Sequence, residues 1–212
     1  MIDIASPLRL RLDAAALVRN WRWLAQAGGA EAGAAIKADG YGLGARDVMR
    51  ILAGAGCRFF FVATWAEAAA LMPLPPGVSL SVLHGVGETD MIAARSLPAR
   101  PVLNSVEQAR RWRSIGEGRP CDVMVDTGMN RLGLRVDEAL GGALDGLAIE
   151  TLLSHLASAD EDSPLNVRQL GAFRALRDAI PARRYSLSNS AGTCLGADYG
   201  FKVKKTERGS SV

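Results

Sequence analysis

Ala34-Ala35-Ile36-Lys37-Ala38-Asp39-Gly40-Tyr41-Gly42-Leu43-Gly44 is a short apolar run that reaches a lysine and passes straight into a glycine-rich loop. Read as a strand over 34–38 followed by a turn, it is one β-then-α unit. Six more strand-like runs follow, at 59–63, 79–84, 101–103, 122–126, 149–154 and 185–188. Several are apolar on both faces, as strands of a parallel sheet covered on both sides must be.

Helix signals fill the intervals. Asp13 can cap a helix with Leu17, Trp21 and Leu24 on one face, closed by Gly28 and Gly29. Thr64 and Glu67 have the spacing of a capping box, and so do Ser105 and Gln108. Ser163 followed by Pro164 opens a helix carrying Leu170, Phe173, Leu176 and Ile180 at helical spacing. Seven such units with no linker predict an α/β fold, a (β/α)8 TIM-type barrel that is incomplete here with about seven strands. A closed barrel takes eight strands and roughly 250 residues, and this chain has 212. The expected division is a barrel over 1–201 and a divergent polar tail over 202–212. At the junction of the two, Phe201 and Val203 alternate with lysines, which leaves room for a short edge strand.

With 49% hydrophobic and 22% charged residues, the chain has ample material for one large core. A net charge of +3 and no basic block interleaved with aromatics argue against a nucleic-acid partner. Arg110, Arg111 and Arg113 around Trp112 read as a solvated helix face. The most apolar stretch, 59–76, contains Glu67 and three prolines and is not expected to cross a membrane. No secretory signal is read at the N-terminus. Cys57, Cys121 and Cys194 are far apart, lack a C-x-x-C pattern and read as small buried hydrophobes. With only two histidines, no metal centre is expected, and the cytoplasm is the expected compartment.

Chemistry in such barrels belongs at the C-terminal ends of the strands. Lys37 at a strand end is partly desolvated, which favours the free amine and suits Schiff-base chemistry. The glycines after it let the loop approach an anion, and Tyr41 offers a phenol. Val125-Asp126-Thr127-Gly128-Met129-Asn130-Arg131-Leu132-Gly133 ends another strand and presents Arg131, whose fork suits a carboxylate or a phenolic oxygen. In Leu153-Ser154-His155-Leu156-Ala157-Ser158-Ala159-Asp160, His155 follows a buried strand. It is either a satisfied core residue or a member of the site. In Ser188-Asn189-Ser190-Ala191-Gly192, Ser190 begins a helix, where backbone N–H groups favour a phosphate; a plain N-cap serine is the alternative.

These four strings, in this order, resemble the alanine racemase family, whose motifs are A-x-x-K-A-D-[AG]-Y-G-x-G, D-[TS]-G-M-x-R-x-G, [ST]-H-[LF]-A-x-A-D and S-N-S-A. The resemblance runs from about Leu8 to Phe201. It implies pyridoxal 5′-phosphate as cofactor and Lys37 as its lysine and the catalytic residue. Tyr41, Arg131, His155, Asn189 and Ser190 are implied to bind the cofactor. By the same resemblance, Arg131 is expected beside its 3-oxygen and to help hold the substrate carboxylate, His155 to stack on the pyridine, and Ser190 to bind the phosphate. The implied reaction interconverts L- and D-alanine for peptidoglycan, and the family enzyme is a homodimer. Met124 departs from the pattern, since many members carry a carbamylated lysine there that braces the arginine.

Two parts of the family pattern are not found: the last barrel strand, V-R-P-G-I-x-L-Y-G, and the C-terminal β domain that supplies a tyrosine as second base. The expectation is therefore a truncated chain, through a frameshift or misannotation. It acts either as a racemase or as a cofactor-binding or inert barrel fragment without racemase activity.

Overall fold

The computed structural model describes residues 10–201. Its sheet has the strands β1 (Ala34–Ala35), β2 (Phe59–Val62), β3 (Ser79–Val82), β4 (Arg100–Leu103), β5 (Cys121–Met124), β6 (Ile149–Leu153) and β7 (Arg184–Ser186) in sequence order. Every neighbouring pair is parallel. Parallel neighbours need crossovers. These are supplied by α2 (Lys37–Tyr41), α3 (Ala45–Ala55), α4 (Trp65–Ala70), α5 (Met91–Ser96), α6 (Val106–Ile115), α7 (Val136–Leu140) and α8 (Pro164–Ala179). Before β1 lies α1 (Ala14–Gly28), and after β7 come α9 (Ser190–Cys194) and a 3-10 turn (Ala197–Tyr199). The seven strands curl into a half-barrel with helices on its outer side, as the alternating pattern predicts. The proposed edge strand at 201–203 and the tail 202–212 lie outside the described residues, apart from Phe201, which is not in a strand.

Between sheet and helices, Phe60, Val62, Leu80, Val123 and Leu152 are buried with Phe173 and Leu176 of α8. Each such side chain contributes about 1.5–3 kcal/mol on full burial. A second, smaller cluster of Val102, Met124 and Leu153, with Phe61 and Leu83 against it, lies apart from this core. Deeper along β5, Asp122 is fully buried, hydrogen-bonded by the Ser81 hydroxyl, with Arg100 Nε 3.4 Å from its Oδ1. Burial pushes its carboxyl up, opposed by the Arg100 charge and the Ser81 hydrogen bond.

The helix ends follow their sequence signals with one exception. Asp13 accepts from the Ala16 N–H, and Gly29 closes α1 at φ 59°. Thr64 and Glu67 form the full capping box, and Ser163 accepts from the Leu165 N–H ahead of α8. Ser105 caps the Gln108 N–H, but Gln108 Oε1 takes the Asn104 N–H, one residue before the reciprocal partner a capping box requires. The arginine face of α6 is likewise less solvated than expected. Arg111 donates to the Val86 carbonyl, and Arg113 donates to the Ala143 and Asp145 carbonyls, so both tie α6 to neighbouring loops. Cys57 and Cys121 are buried, and burial pushes their thiols up to about 11 and about 12; Cys194, expected to be buried, is exposed. Among the described residues no helix is long and apolar enough to cross a membrane.

The two edges of the sheet face each other across a seam. Among the described residues β1 and β7 do not pair. Instead α1 packs on α9 and on the 3-10 turn, where a Cβ on Gly200 would collide with the Gly28 carbonyl oxygen, so only glycine fits. Arg184 of β7 reaches across the same seam, 3.4 Å from Glu31 Oε2 and with its guanidinium 4.3 Å from the centre of the Phe59 ring.

Candidate functional site

The strand expected over 34–38 is shorter, and the reason shapes the site. After Ile36 the backbone turns left-handed at Ala38, Asp39, Gly40 and Tyr41, with φ between 51° and 65°. Lys37 therefore leaves the end of β1 at the start of a tight turn and not within a strand. Three of those residues are not glycine, so the turn is strained and needs outside support. Glu67 supplies it. Its Oε1 accepts the Ala38 N–H at 2.8 Å, while Oε2 accepts the N–H groups of Ala63 and Thr64 at 2.6 and 3.3 Å. Asp39 Oδ1 accepts the Ala45 N–H at 2.8 Å and so starts α3. Lys37 Nζ lies 6.0 Å from the centre of the Tyr41 ring, and Tyr41 is 63% exposed.

The segment after β5 is built differently. Asp126 Oδ1 accepts the N–H groups of Gly128, Met129 and Asn130 at 2.8, 2.8 and 3.1 Å, folding the loop around its own carboxylate. The loop returns through Leu134, which exchanges backbone hydrogen bonds with Met124 and Asp126. Gly133 permits that return: it has φ 121°, and a Cβ there would lie 2.7 Å from the Asp126 nitrogen and 3.0 Å from Met124 Cγ. Arg131 is exposed at the pocket, and its guanidinium has no hydrogen-bond partner among the described residues. Met124 packs beneath this loop at Gly133, and the Asp126 carboxylate supplies the loop's polar support.

His155, just beyond β6, is half-buried. Burial, then the Arg131 guanidinium and the Lys37 ammonium, hold its imidazole below the ordinary value of 6.5. It is therefore neutral at neutral pH. Asn189, and not Ser190, is the N-cap of α9, because its Oδ1 accepts the Gly192 N–H at 2.8 Å. That leaves the exposed Ser190 hydroxyl with no hydrogen-bond partner among the described residues.

Lys37, Tyr41, Arg131, His155, Asn189 and Ser190 all line one cavity of about 800 Å³. Phe61, Leu83, Met124 and Leu153 of the inner apolar cluster form part of its wall. An amine, a guanidinium, an imidazole and a free hydroxyl face a partly apolar space. The Asp126 carboxylate is meanwhile engaged by three backbone N–H groups. This donor set suits a flat, anionic, phosphorylated ring, so the residues present fit pyridoxal 5′-phosphate. No group of three or more His, Cys, Asp or Glu among the described residues could hold a metal ion.

Two supporting residues were not singled out for these roles from the sequence. Glu67 was read only as a cap, and its reach to Ala38 spans 29 positions. Gln169 carried one available signal, an amide on the apolar face of α8 beside Leu170 and Phe173. It is fully buried and bonded to both the 126–134 and the 154–157 segments.

A family profile described as alanine racemase, N-terminal domain, matches residues 12–206. The alanine racemase of Methylobacterium sp. (strain 4-46) is 44% identical over 199 residues, covering 89% of this chain and 55% of the relative. The biosynthetic alanine racemase of Agrobacterium fabrum is 42% identical over 210 residues, covering 94% and 54%. Among solved structures, the Bartonella henselae alanine racemase with covalently bound pyridoxal phosphate superposes with a TM-score of 0.83 at 34% identity, covering 90% of this chain and 59% of that one. A histidine racemase from Leuconostoc mesenteroides, at 20% identity and a TM-score of 0.74, shares the fold. The chain spans about half the length of the curated relatives it matches. With the profile covering nearly all of the barrel, this chain belongs to the alanine racemase family and corresponds to its N-terminal domain.

Proposed function

We propose that this chain forms the pyridoxal-phosphate-binding barrel of an alanine racemase, with Lys37 as its cofactor lysine and one of its two bases. The observation that carries this reading is the convergence of Lys37, Tyr41, Arg131, His155, Asn189 and Ser190 on a single cavity. Lys37 Nζ would hold the cofactor, the Ser190 hydroxyl and the backbone around Asn189 would receive its phosphate, and Arg131 would receive its phenolic oxygen. When bound, the group supplies an electron sink that acidifies the Cα–H of an attached amino acid.

The chain's own residues then do three things. Arg131 would also receive the substrate carboxylate, because its guanidinium has no hydrogen-bond partner among the described residues and carries enough N–H donors for both groups. The neutral imidazole of His155 would cover a ring face and adds no charge of its own beside Arg131 and Lys37. Lys37 Nζ, freed when the substrate amine takes its place on the cofactor, would take or return the proton at Cα from its side of the pocket. The alanine substrate, a homodimer, a cytoplasmic location and a role in supplying D-alanine for peptidoglycan belong to the same reading.

A second reading, cofactor binding without racemase turnover, is favoured by one observation. Racemisation needs bases on opposite faces of the substrate, and of the six candidate residues lining the cavity only Lys37 is assigned as a base. One experiment addresses both. The purified chain is mixed with pyridoxal 5′-phosphate, the visible band of a lysine-bound cofactor is recorded, and conversion of L- to D-alanine is followed by chiral chromatography. A band lost in Lys37→Ala, together with turnover, supports the racemase. A Lys37-dependent band without turnover supports the second reading, and no Lys37-dependent band defeats both.

A further inference from the structure

Gln169 lies on α8, outside the sheet, yet its amide ends beneath the pocket rim and is fully buried. Oε1 accepts the Ala157 N–H at 2.9 Å, and Nε2 donates to the His155 carbonyl at 2.9 Å and to Thr127 Oγ1 at 3.1 Å. Three of the four hydrogen-bonding positions of one amide are thus filled, each from a different residue. Thr127 in turn shares a 2.7 Å hydrogen bond with Ser154 Oγ. The partners belong to the two segments that present Arg131 and His155. One turn earlier on α8, Asn166 donates to the carbonyls of Ser158 and Glu161. It therefore supports the His155 segment alone, whereas Gln169 joins both.

We propose that Gln169 is a positioning residue that sets where Arg131 and His155 stand relative to each other, a role that rests on the reading of the cavity as the pyridoxal-phosphate site. The bond to the His155 carbonyl fixes the peptide that carries the imidazole. The bond to Thr127 fixes the residue that follows Asp126, at the start of the turn leading to Arg131. An apolar side chain that only filled the space would leave the two segments tied, among the described residues, by the end of the β5–β6 ladder and by Thr127 with Ser154, without the direct link from the His155 peptide to Thr127 that the amide makes. A buried amide with directional partners specifies one arrangement in a way that an apolar side chain does not.

The test uses the whole chain without cofactor, and it benefits from there being only two histidines, His84 and His155. NMR titration of the imidazole signals, assigned with His84→Asn, gives the His155 midpoint, while amide signals report the 127–130 and 155–157 segments. Gln169→Met keeps the volume and removes all three hydrogen bonds. It is expected to raise the His155 midpoint towards 6.5, as the imidazole moves away from burial and from the Arg131 and Lys37 charges that now hold it down, and to shift both sets of amide signals. Thr127→Val removes one arm only, so it should shift 127–130 strongly and His155 less. A purely structural role would lower the melting temperature of folded Gln169→Met and leave its His155 midpoint and both sets of amide signals at wild-type values, which overturns the proposal. If Gln169→Met does not fold, unchanged 127–130 signals in Thr127→Val overturn it equally. Half-saturation by pyridoxal 5′-phosphate should also weaken by about tenfold in Gln169→Met, in line with a small misplacement of binding groups. If the wild-type chain takes up no cofactor, the functional reading fails while the NMR outcome still decides the positioning role.

Discussion

The Lys37 turn and the Arg131 loop do the same job by opposite constructions. Each carries a cation from a strand end to the cavity, and each is held by one carboxylate that accepts three backbone N–H groups. The Arg131 loop is folded around a carboxylate of its own, Asp126, through a single oxygen, and its left-handed residues are Gly128, Asn130 and Gly133. The Lys37 turn places alanine, aspartate and tyrosine in left-handed backbone and draws its carboxylate from another element, with both oxygens of Glu67 engaged. A self-contained loop can be placed by local sequence alone. A strained turn held from α4 depends on β1, β2 and α4 being in place together.

Mutations can break that contrast. The largest expected effect is Gly133→Ala, which forces alanine to φ 121° and its Cβ onto the Asp126 nitrogen. A loss of roughly 3 kcal/mol is expected in denaturant unfolding. Next comes Glu67→Gln. One amide oxygen cannot replace two carboxylate oxygens facing opposite sides, so at least one N–H loses its partner, at about 2 kcal/mol. Asp126→Asn should be milder, below about 1 kcal/mol, because one oxygen takes all three bonds and the amide oxygen can stand in its place. Equal losses for these two variants, measured side by side, would erase the distinction between the two constructions.

Ala38→Gly runs the other way. Relief of left-handed strain outweighs the added freedom of the unfolded chain, so a gain of about 0.5 kcal/mol is expected. Smaller still is a pH effect at His155, between the two cations. Its folded-state value is depressed, so the unfolded chain binds more protons over the window just below 6.5. Stability present above 6.5 is therefore lost as pH falls through the folded value. Unfolding curves for His155→Gln should lack that part of the acid-side decline.

Much of the architecture was legible because it is local. Asp13, Thr64 with Glu67, and Ser163 sit within four residues of the N–H groups they satisfy, and the apolar runs announce the strands they become. The gathering of six site residues in one cavity also followed from strand-end positions in a parallel barrel. Other features depend on distant partners. The left-handed path at Ala38–Tyr41 is stabilised from residue 67, and Gln169 finds Thr127 42 positions away. The buried Asp122 pairs with Arg100 and Ser81 from two other strands, and nothing in their local sequence marks them as partners. Side chains whose bonds cross the sheet carry no periodicity of their own.

The seam between β1 and β7 fixes the order in which this protein breathes. Among the described residues β1 has two paired residues and a neighbour on one side only, so its amides should exchange with solvent sooner than those of β3 to β5. Lys37 and Ser190 stand just past the first and last strands, on opposite banks of that gap, and open onto the same cavity. A small molecule gripped by both would clasp the two margins of the sheet where, among the described residues, no backbone ladder does. Its affinity would then register as slower opening of the whole edge, a thermodynamic signature readable without any chemistry taking place.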